Sequence, residues 1–293
     1  WFAARQGLAP LRDMKSRAAK VTGQKLGERM PVQAVPVEMA DLAQELNRML
    51  DRLQEDFQRL TDFASDLAHE LRTPISNLLT QTQVALTTKR DAATYRDILA
   101  SNAEEFQRLA RMVSDMLFLA QSERATAALK LTRFDLRAEA VKVAEYLELL
   151  AHERDVSVAV EGAGAVVADQ GLVRRAVTNL VSNAVRHSRS GTQIHILIAT
   201  DADRLRLTVL NQGEPIAVEH LGRLFDRFYR VDNSRNRDAG GTGLGLAIVK
   251  AIVRLHGGTA EASSSLEGET RFTLSFPLVP VSGETAINGE EGE

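Results

Sequence analysis

The 293 residues predict a multidomain chain made of a helical connector region, an antiparallel helical hairpin and a two-layer α/β domain. Three observations predict it. Apolar residues at alternating spacings of four and three begin at Leu46 and run past Leu71, which is the seam of a coiled coil. A second apolar stripe at helical spacing, Tyr95, Ile98, Leu99, Asn102, Phe106, Leu109, Val113, Met116 and Leu117, follows the turn-like stretch TTKRDAAT. Beyond Gln121 short alternating strands are interleaved with amphipathic helices, the pattern of a sheet covered by helices.

Composition narrows the function. The formal charge is −3, from 36 Lys and Arg against 39 Asp and Glu, and the two signs are interspersed. Without a basic stripe there is no electrostatic case for nucleic acid as a partner. Cysteine is absent, which excludes disulfides and thiolate metal sites and fits a reducing compartment. No apolar run reaches membrane-spanning length. The opening WFAARQGLAPLR nevertheless sets Trp1 near Arg5, as at the edge of a bilayer, which leaves two readings open, a membrane helix just upstream or an arbitrary starting point.

Residues 1–58 read as a connector domain in which helical LAPLRDMKSRAAKV and VEMADLAQELNRML flank the Gly/Pro-rich GQKLGERMPVQAVP. Helices joined this way, running straight into the seam, suit a bundle that transmits a signal. The seam itself is Leu46, Leu50, Leu53, Phe57, Leu60, Ala64, Leu67 and Leu71, with Pro74 and Leu78 continuing it. With Leu67 at position d, His69 falls at f, furthest from the seam, and Asp62 and Glu55 hold f in the preceding heptads. The register therefore argues against a core histidine. A metal ligand would need companions that this face lacks. Two uses stay open: a plain surface histidine, or a nucleophile with the neighbouring Glu70 as proton acceptor. Thr73 shares the face, and Pro74 frees the carbonyl of Glu70 from its helical bond, which predicts a loosened turn after the histidine. The two long helices leave apolar surface uncovered, and a symmetric dimer closing into a four-helix bundle would bury it.

In the last domain LRAEAVKVAEYLELLAHER reads as a helix, VSVAVEG and AVVA as strands, and DQGLVRRAVTNLVSNAVRHS as a helix capped by Asp169. TQIHILIAT and RLRLTVLN read as paired strands, LGLAIVKAIVRLHGG as a helix ending in glycines, and GTAEASS and ETRFTLSFPL as two further strands. AGGTGLGLA sets Gly240, Gly241, Gly243 and Gly245 at a helix start, where backbone N–H groups and the helix dipole can hold phosphate oxygens. A tight turn alone would use the same residues. The loop follows a polar stretch and not a strand, and it lacks the Lys-Ser/Thr of a Walker motif, so neither common nucleotide fingerprint applies. Asn179 and Asn183 are four apart on the Asp169 helix and are followed by Arg186 and His187. Asparagine costs helix propensity, and its amide oxygen is a hard, neutral ligand for a magnesium ion that also binds phosphates. Together the two elements are what a nucleotide-phosphate site would need, and such a site is the expectation.

In this order FASDLAHELRTPISNL, NLVSNAVRHS, NQGEPI, LFDRFYR and GGTGLGLAIVK resemble the phosphoacceptor, Asn, first glycine, Phe and second glycine boxes of membrane-bound sensor histidine kinases. The segment with Pro10 and Glu38 resembles the HAMP linker of such receptors. The resemblance spans residues 5 to 277 and is greatest to the branch that senses copper or silver in Gram-negative bacteria. It implies a parallel HAMP helical bundle over 1–58, a dimerising hairpin over 59–125, an α/β two-layer ATP-binding sandwich of the histidine kinase and Hsp90 type over 130–279, and a disordered tail over 280–293.

The same resemblance implies roles for residues. His69 would be phosphorylated, Glu70 would assist proton transfer, and Thr73 would position water in a reverse, phosphatase reaction. Asn183 would hold Mg²⁺, with Asn179 near the phosphates of ATP and Arg186 and His187 beside the triphosphate. Phe225, Arg227, Phe228 and Arg230 would belong to a lid, and Gly241, Thr242, Gly243, Leu244 and Gly245 would line the phosphates. Gly213 would let the adenine approach, and Asn211 would accept from its amino group where most of the family has Asp. A homodimer is implied, as are a response-regulator partner and a full-length protein anchored in the bacterial inner membrane with this part facing the cytoplasm. A degenerate kinase kept as a dimeric signalling scaffold is the competing class. It predicts damage at His69, Asn183 or the glycine loop, all of which are present. With no Cys and only scattered histidines, a soft-metal stimulus is expected to be received outside this chain.

Overall fold

Residues 27–30, 32, 37–122, 129–201, 203–231 and 242–278 are described by the computed structural model. The expected first connector helix, Gly241 and the tail over 280–293 lie outside them. The chain divides into two units, residues 1–105 and 106–293.

The first unit is dominated by helix α1, Val37–Thr87, which runs 51 residues with Pro74 inside it. Pro74 and Leu78 are buried, so the proline sits on the packed side and the helix continues through it. Near its start the described part of the connector lies along α1: Asn47 accepts from the Met30 N–H at 2.7 Å and donates to the Met30 carbonyl at 3.1 Å. Met30, Ala43 and Leu50 are buried together there, with Val32, Met39 and Leu46 packed against them. The seam thus divides. Its upper end is covered within the chain, while Leu53, Phe57 and Leu60 remain 46 %, 46 % and 60 % exposed. Helix α2, Ala92–Ser122, begins where Asp91 accepts from the Thr94 N–H at 2.7 Å. Its expected apolar stripe divides too: Asn102 and Met116 are buried, Leu99, Phe106, Val113 and Leu117 face solvent, and Met112 and Leu119, outside that stripe, are buried instead.

The second unit holds an antiparallel pair, β1 (Leu131–Asp135) with β3 (Ala165–Asp169), and a five-stranded sheet. The sheet contains β2 (Ser157–Gly162), β4 (Gln193–Thr200), β5 (Arg204–Gln212), β6 (Thr259–Ser264) and β7 (Glu269–Pro277), in the order β2-β4-β5-β7-β6. β2 runs parallel to β4 and the other pairings are antiparallel. Every second residue of β4 and β5 is buried, Ile194, Ile196 and Ile198 with Leu205, Leu207 and Val209. These meet the apolar face of α5 (Gln170–His187), while α7 (Gly245–Leu255) packs on α5 and against β6 and β7.

Two details differ from the sequence reading. Strand β1 was not expected, and the helix expected over residues 136–154 is two, α3 (Leu136–Tyr146) and α4 (Glu148–Glu153), because Leu147 leaves helical geometry at φ −97 and ψ 4. A further single turn, α6 (Val218–Leu221), precedes the Phe box.

Helix α3 is tied to α5 through a carboxylate. Glu139, 1 % exposed, accepts from Arg174 Nε at 2.7 Å, Gln170 Nε2 at 2.6 Å and Lys142 Nζ at 2.8 Å. Burial pushes its carboxyl up, but the bonds from Arg174, Lys142 and Gln170 outweigh that and hold it at about 2. The folded value is depressed, so the stabilisation is complete above the ordinary 4.5 and is lost as pH falls toward 2. Screening of the half-open Arg174 and Lys142 side chains leaves an expected contribution of about 2 kcal/mol. Glu139→Gln should therefore lower the melting temperature at pH 7, and the gap from the parent should narrow as pH falls below 4.5 and close only near pH 2 in a melting series.

At the far end of α7, His256 accepts from the Asp169 N–H through Nε2 at 2.9 Å, which leaves the ring proton on Nδ1 for the Ile252 carbonyl at 2.8 Å. Asp169 in turn caps α5 by accepting from the Leu172 N–H at 3.1 Å. The two helices that carry the candidate site are thereby braced at their opposite ends.

Candidate functional site

His69, Glu70 and Thr73 are all exposed on α1, while Leu67 and Leu71 on either side are partly covered and Pro74 is buried. The f-position histidine thus points away from the packed side of its helix. A ring nitrogen so placed is open to an incoming electrophile.

In the second unit Asn179 and Asn183 sit one turn apart on α5, both partly covered. The Asn179 amide donates to the carbonyl of Gly245 at 3.3 Å, joining α5 to the first residue of α7. This bond brings the amide pair and the glycine loop to one place from 66 residues apart. Leu244 is fully buried and anchors the loop in the core, and its N–H is 3.4 Å from Thr242 Oγ1.

Gly243 has φ +70, and a Cβ there would lie 2.7 Å from the Cα of Phe228. Phe228 itself has φ 58, and its N–H donates to the Gly243 carbonyl at 3.0 Å. Two left-handed residues are therefore pinned backbone to backbone, closing the base of the stretch between the Phe box and α7. Sequence reasoning took Phe228 as a lid side chain and missed this, because left-handed geometry is signalled by glycine and not by phenylalanine. Beside it Tyr229 lies between His220, whose Nδ1 is 2.6 Å from the phenolic oxygen, and Arg223, 4.4 Å above the ring. Phe225 is buried edge-on against Phe272.

Asn211 is buried at the end of β5. The room at Gly213 is set by protein backbone: a Cβ would come 2.4 Å from the His187 carbonyl oxygen at the end of α5. Arg186 and His187 stand in a cationic neighbourhood. Burial pushes the Arg186 guanidinium below its ordinary value, and the charges of Arg154, Arg230 and Arg108 push it further. Desolvation likewise lowers the His187 imidazole, helped by Arg186, Arg230 and Arg154 and opposed by Glu214. A convergence of cations beside two amides and a helix start suits a polyanion. A hollow of about 330 Å³ lined by Thr192, Gln193, His195, Leu210, Asn211, Gln212 and Glu269 includes none of the loop or α5 residues.

Residues 2–55 match the HAMP domain, 59–125 the His Kinase A (phospho-acceptor) domain, and 168–280 the histidine kinase-, DNA gyrase B- and HSP90-like ATPase. The chain is homologous to the sensor histidine kinases. His69 falls within the phospho-acceptor match, and the asparagines and glycine loop fall within the ATPase match. The sensor protein IrlS of Burkholderia pseudomallei is 44 % identical over 271 residues, 92 % of this chain and 58 % of that protein. The sensor histidine kinase CusS of Escherichia coli K12 is 43 % identical over 277 residues, 94 % of this chain and 58 % of that protein. The chain thus spans less than two thirds of the length of these relatives. Among solved structures, the Acinetobacter baumannii histidine kinase AdeS superposes with a TM-score of 0.60 at 26 % identity, over 72 % of this chain and 98 % of that one. The histidine kinase ThkA in complex with response regulator protein TrrA gives 0.64 at 23 % identity, over 78 % of this chain and 64 % of that one, a likeness of fold. Among the described residues no helix is long and apolar enough to cross a membrane.

Proposed function

We propose that the protein phosphorylates His69 from ATP and passes the phosphoryl group to an aspartate of a response regulator. A nitrogen of the His69 ring forms a bond to the γ-phosphorus as the bond to the bridging oxygen breaks and ADP leaves, and the ring proton passes toward Glu70. Thr73, on the same exposed face, would hold water for the reverse hydrolysis of the regulator's acyl phosphate. Asn183 would hold Mg²⁺, which supplies charge neutralisation on the phosphates, while Asn179 keeps the glycine loop against α5. The donor set fits such a group: a neutral amide oxygen flanked by Arg186 and His187 at the end of a helix. Asn211 and Gly213 would border the adenine, and Phe228, Thr242, Gly243, Leu244 and Gly245 would shape the loop; Gly241, which would join them, lies outside the described residues.

The exposed Leu53, Phe57 and Leu60 support a homodimer in which these seams meet, with the HAMP helices parallel and the hairpins closing a four-helix bundle. The relatives' names support a sensor role. We place the full-length protein in the bacterial inner membrane with this part in the cytoplasm, responding to a heavy metal such as copper or silver received elsewhere in the receptor.

The observation that carries the kinase reading is the Asn179–Gly245 bond, since it assembles one phosphate-binding corner from two distant motifs. With Mg²⁺ and γ-labelled ATP the chain should take up label that is labile to acid and stable to base. Asn183→Ala should weaken Mg-dependent nucleotide binding by at least about tenfold with the melting temperature little changed. Calorimetry with and without Mg²⁺ measures this, and equal affinities for parent and variant would remove Asn183 from the metal.

A further inference from the structure

The segment that leads into the glycine loop is moored to the sheet before it reaches Phe228. The Ile216 N–H donates to Ser264 Oγ at the end of β6 at 3.1 Å, and that hydroxyl also meets Thr270 Oγ1 of β7 at 3.2 Å. Leu224 and Phe225 are buried, the Phe225 ring standing edge-on to Phe272 of β7 with 6.3 Å between centres. Between these moorings the chain is wound tightly: the Arg223 N–H donates to the His220 carbonyl and the Asp226 N–H to the Arg223 carbonyl, each at 2.9 Å. A braced platform therefore stands directly before the left-handed Phe228.

Phe228 depends on such support. A residue other than glycine keeps a positive φ only where its surroundings hold it there. On one side the Gly243 carbonyl holds its N–H, and the buried Leu244 anchors that side in the core. On the other side the hold comes from the next residue, Tyr229, whose ring reaches back to α6. Its hydroxyl lies 2.6 Å from His220 Nδ1, and its face lies 4.4 Å from the Arg223 guanidinium carbon. The short distance fits a phenol O–H donating to an unprotonated Nδ1, which leaves the ring proton on Nε2, the nitrogen 3.7 Å from Glu219 Oε1. Arg223 is itself 3.8 Å from the Asp226 carboxylate. The tyrosine is thus gripped at its tip by a hydrogen bond and on its face by a cation.

We infer that Tyr229 is a positioning residue for the phosphoryl transfer, a clasp that ties the Phe228–Gly243 clamp to α6 and keeps the glycine loop in its phosphate-binding shape before nucleotide arrives. The inference rests on the reading of the glycine loop as a nucleotide site. His220 and Arg223 act through Tyr229. A loop already shaped loses less freedom on binding, so loosening the clasp is read as weaker nucleotide affinity and not as lost core packing.

Calorimetric titration of the full chain with Mg²⁺ and a non-hydrolysable ATP analogue tests it, alongside amide exchange measured without nucleotide. Tyr229→Phe keeps the ring beside Arg223 and removes only the hydroxyl. It should weaken the analogue about fivefold and speed exchange of the Phe228 N–H by about as much, with the melting temperature within about two degrees of the parent. His220→Leu, which fills the space without an acceptor, should lose as much affinity, and the double variant should lose no more than either alone. His220→Asn returns an amide oxygen close to the place of Nδ1 and should recover part of the loss, a rescue that a merely space-filling histidine would not show. A Tyr229→Phe chain that binds the analogue as tightly as the parent, or equal affinities in His220→Asn and His220→Leu, would overturn the assignment. A parent chain that binds no nucleotide would sink the nucleotide site, and the inference with it.

Discussion

His69→Gln is expected to remove all acid-labile labelling of the chain by γ-labelled ATP while changing nucleotide affinity by less than about twofold. Glutamine is polar, of similar reach and has good helix propensity, but its amide offers no ring nitrogen to attack phosphorus. His69 is exposed on α1 and belongs to the unit that does not contain the asparagines or the glycine loop. Its loss therefore removes neither core packing nor a phosphate contact, and the cost to stability should stay within about 0.5 kcal/mol. The combination separates this role from a structural one, which would lower melting temperature and labelling together. Label of the same acid lability persisting in the variant would assign the acceptor to another residue.

What periodicity could reveal about this chain, and what it could not, follows from the range of the contacts involved. The heptad from Leu46 marks the apolar side of α1, and its f position marks the exposed side where His69 stands. The same pattern is silent on which stretch of seam the chain itself covers. Leu50 is buried because Met30 and Ala43 meet it, whereas Leu53, one step along, is half exposed. The strands β4 and β5 were legible from alternation because each must bury one face, but β1 is too short and too exposed to alternate clearly.

At the candidate site the local spacings were visible and the joints between them were not. Asn179 and Asn183 are recognisable as a pair one turn apart, yet the Gly245 carbonyl that Asn179 holds is reached only through the packing of α5 on α7. Arg175 of α5 and Asp115 of α2, paired at 2.5 Å from 60 residues apart, follow the same rule. Gly213 is instructive in another way. A glycine beside a suspected nucleotide invites a ligand to explain it, while here the His187 carbonyl already occupies the space a side chain would take.

Gly243→Ala should cost the protein about a hundredfold in affinity for a Mg-bound ATP analogue, with a smaller effect on folding. Alanine at φ +70 carries a backbone strain of about 1–2 kcal/mol. Its Cβ would also stand 2.7 Å from the Phe228 Cα and 2.9 Å from the Phe228 carbonyl carbon, both main-chain atoms that no side-chain rotation can move aside. Relief requires the Phe228 N–H to give up the Gly243 carbonyl, which opens the base of the loop and leaves Phe228 without the bond that supports its own left-handed conformation. Leu244 and the hydrophobic face of α7 remain in the core, so the second unit should still melt cooperatively, only a few degrees lower. Gly245→Ala provides the contrast, because its Cβ would meet nothing nearer than Asn179 at 3.8 Å and its residue opens a regular helix, so a smaller loss of affinity is expected. Calorimetry on both variants, with melting curves alongside, distinguishes the two positions. A Gly243→Ala chain that bound the analogue as tightly as the parent would show that Phe228 and Gly243 can separate without consequence, and the clamp would then have no part in shaping the phosphate loop.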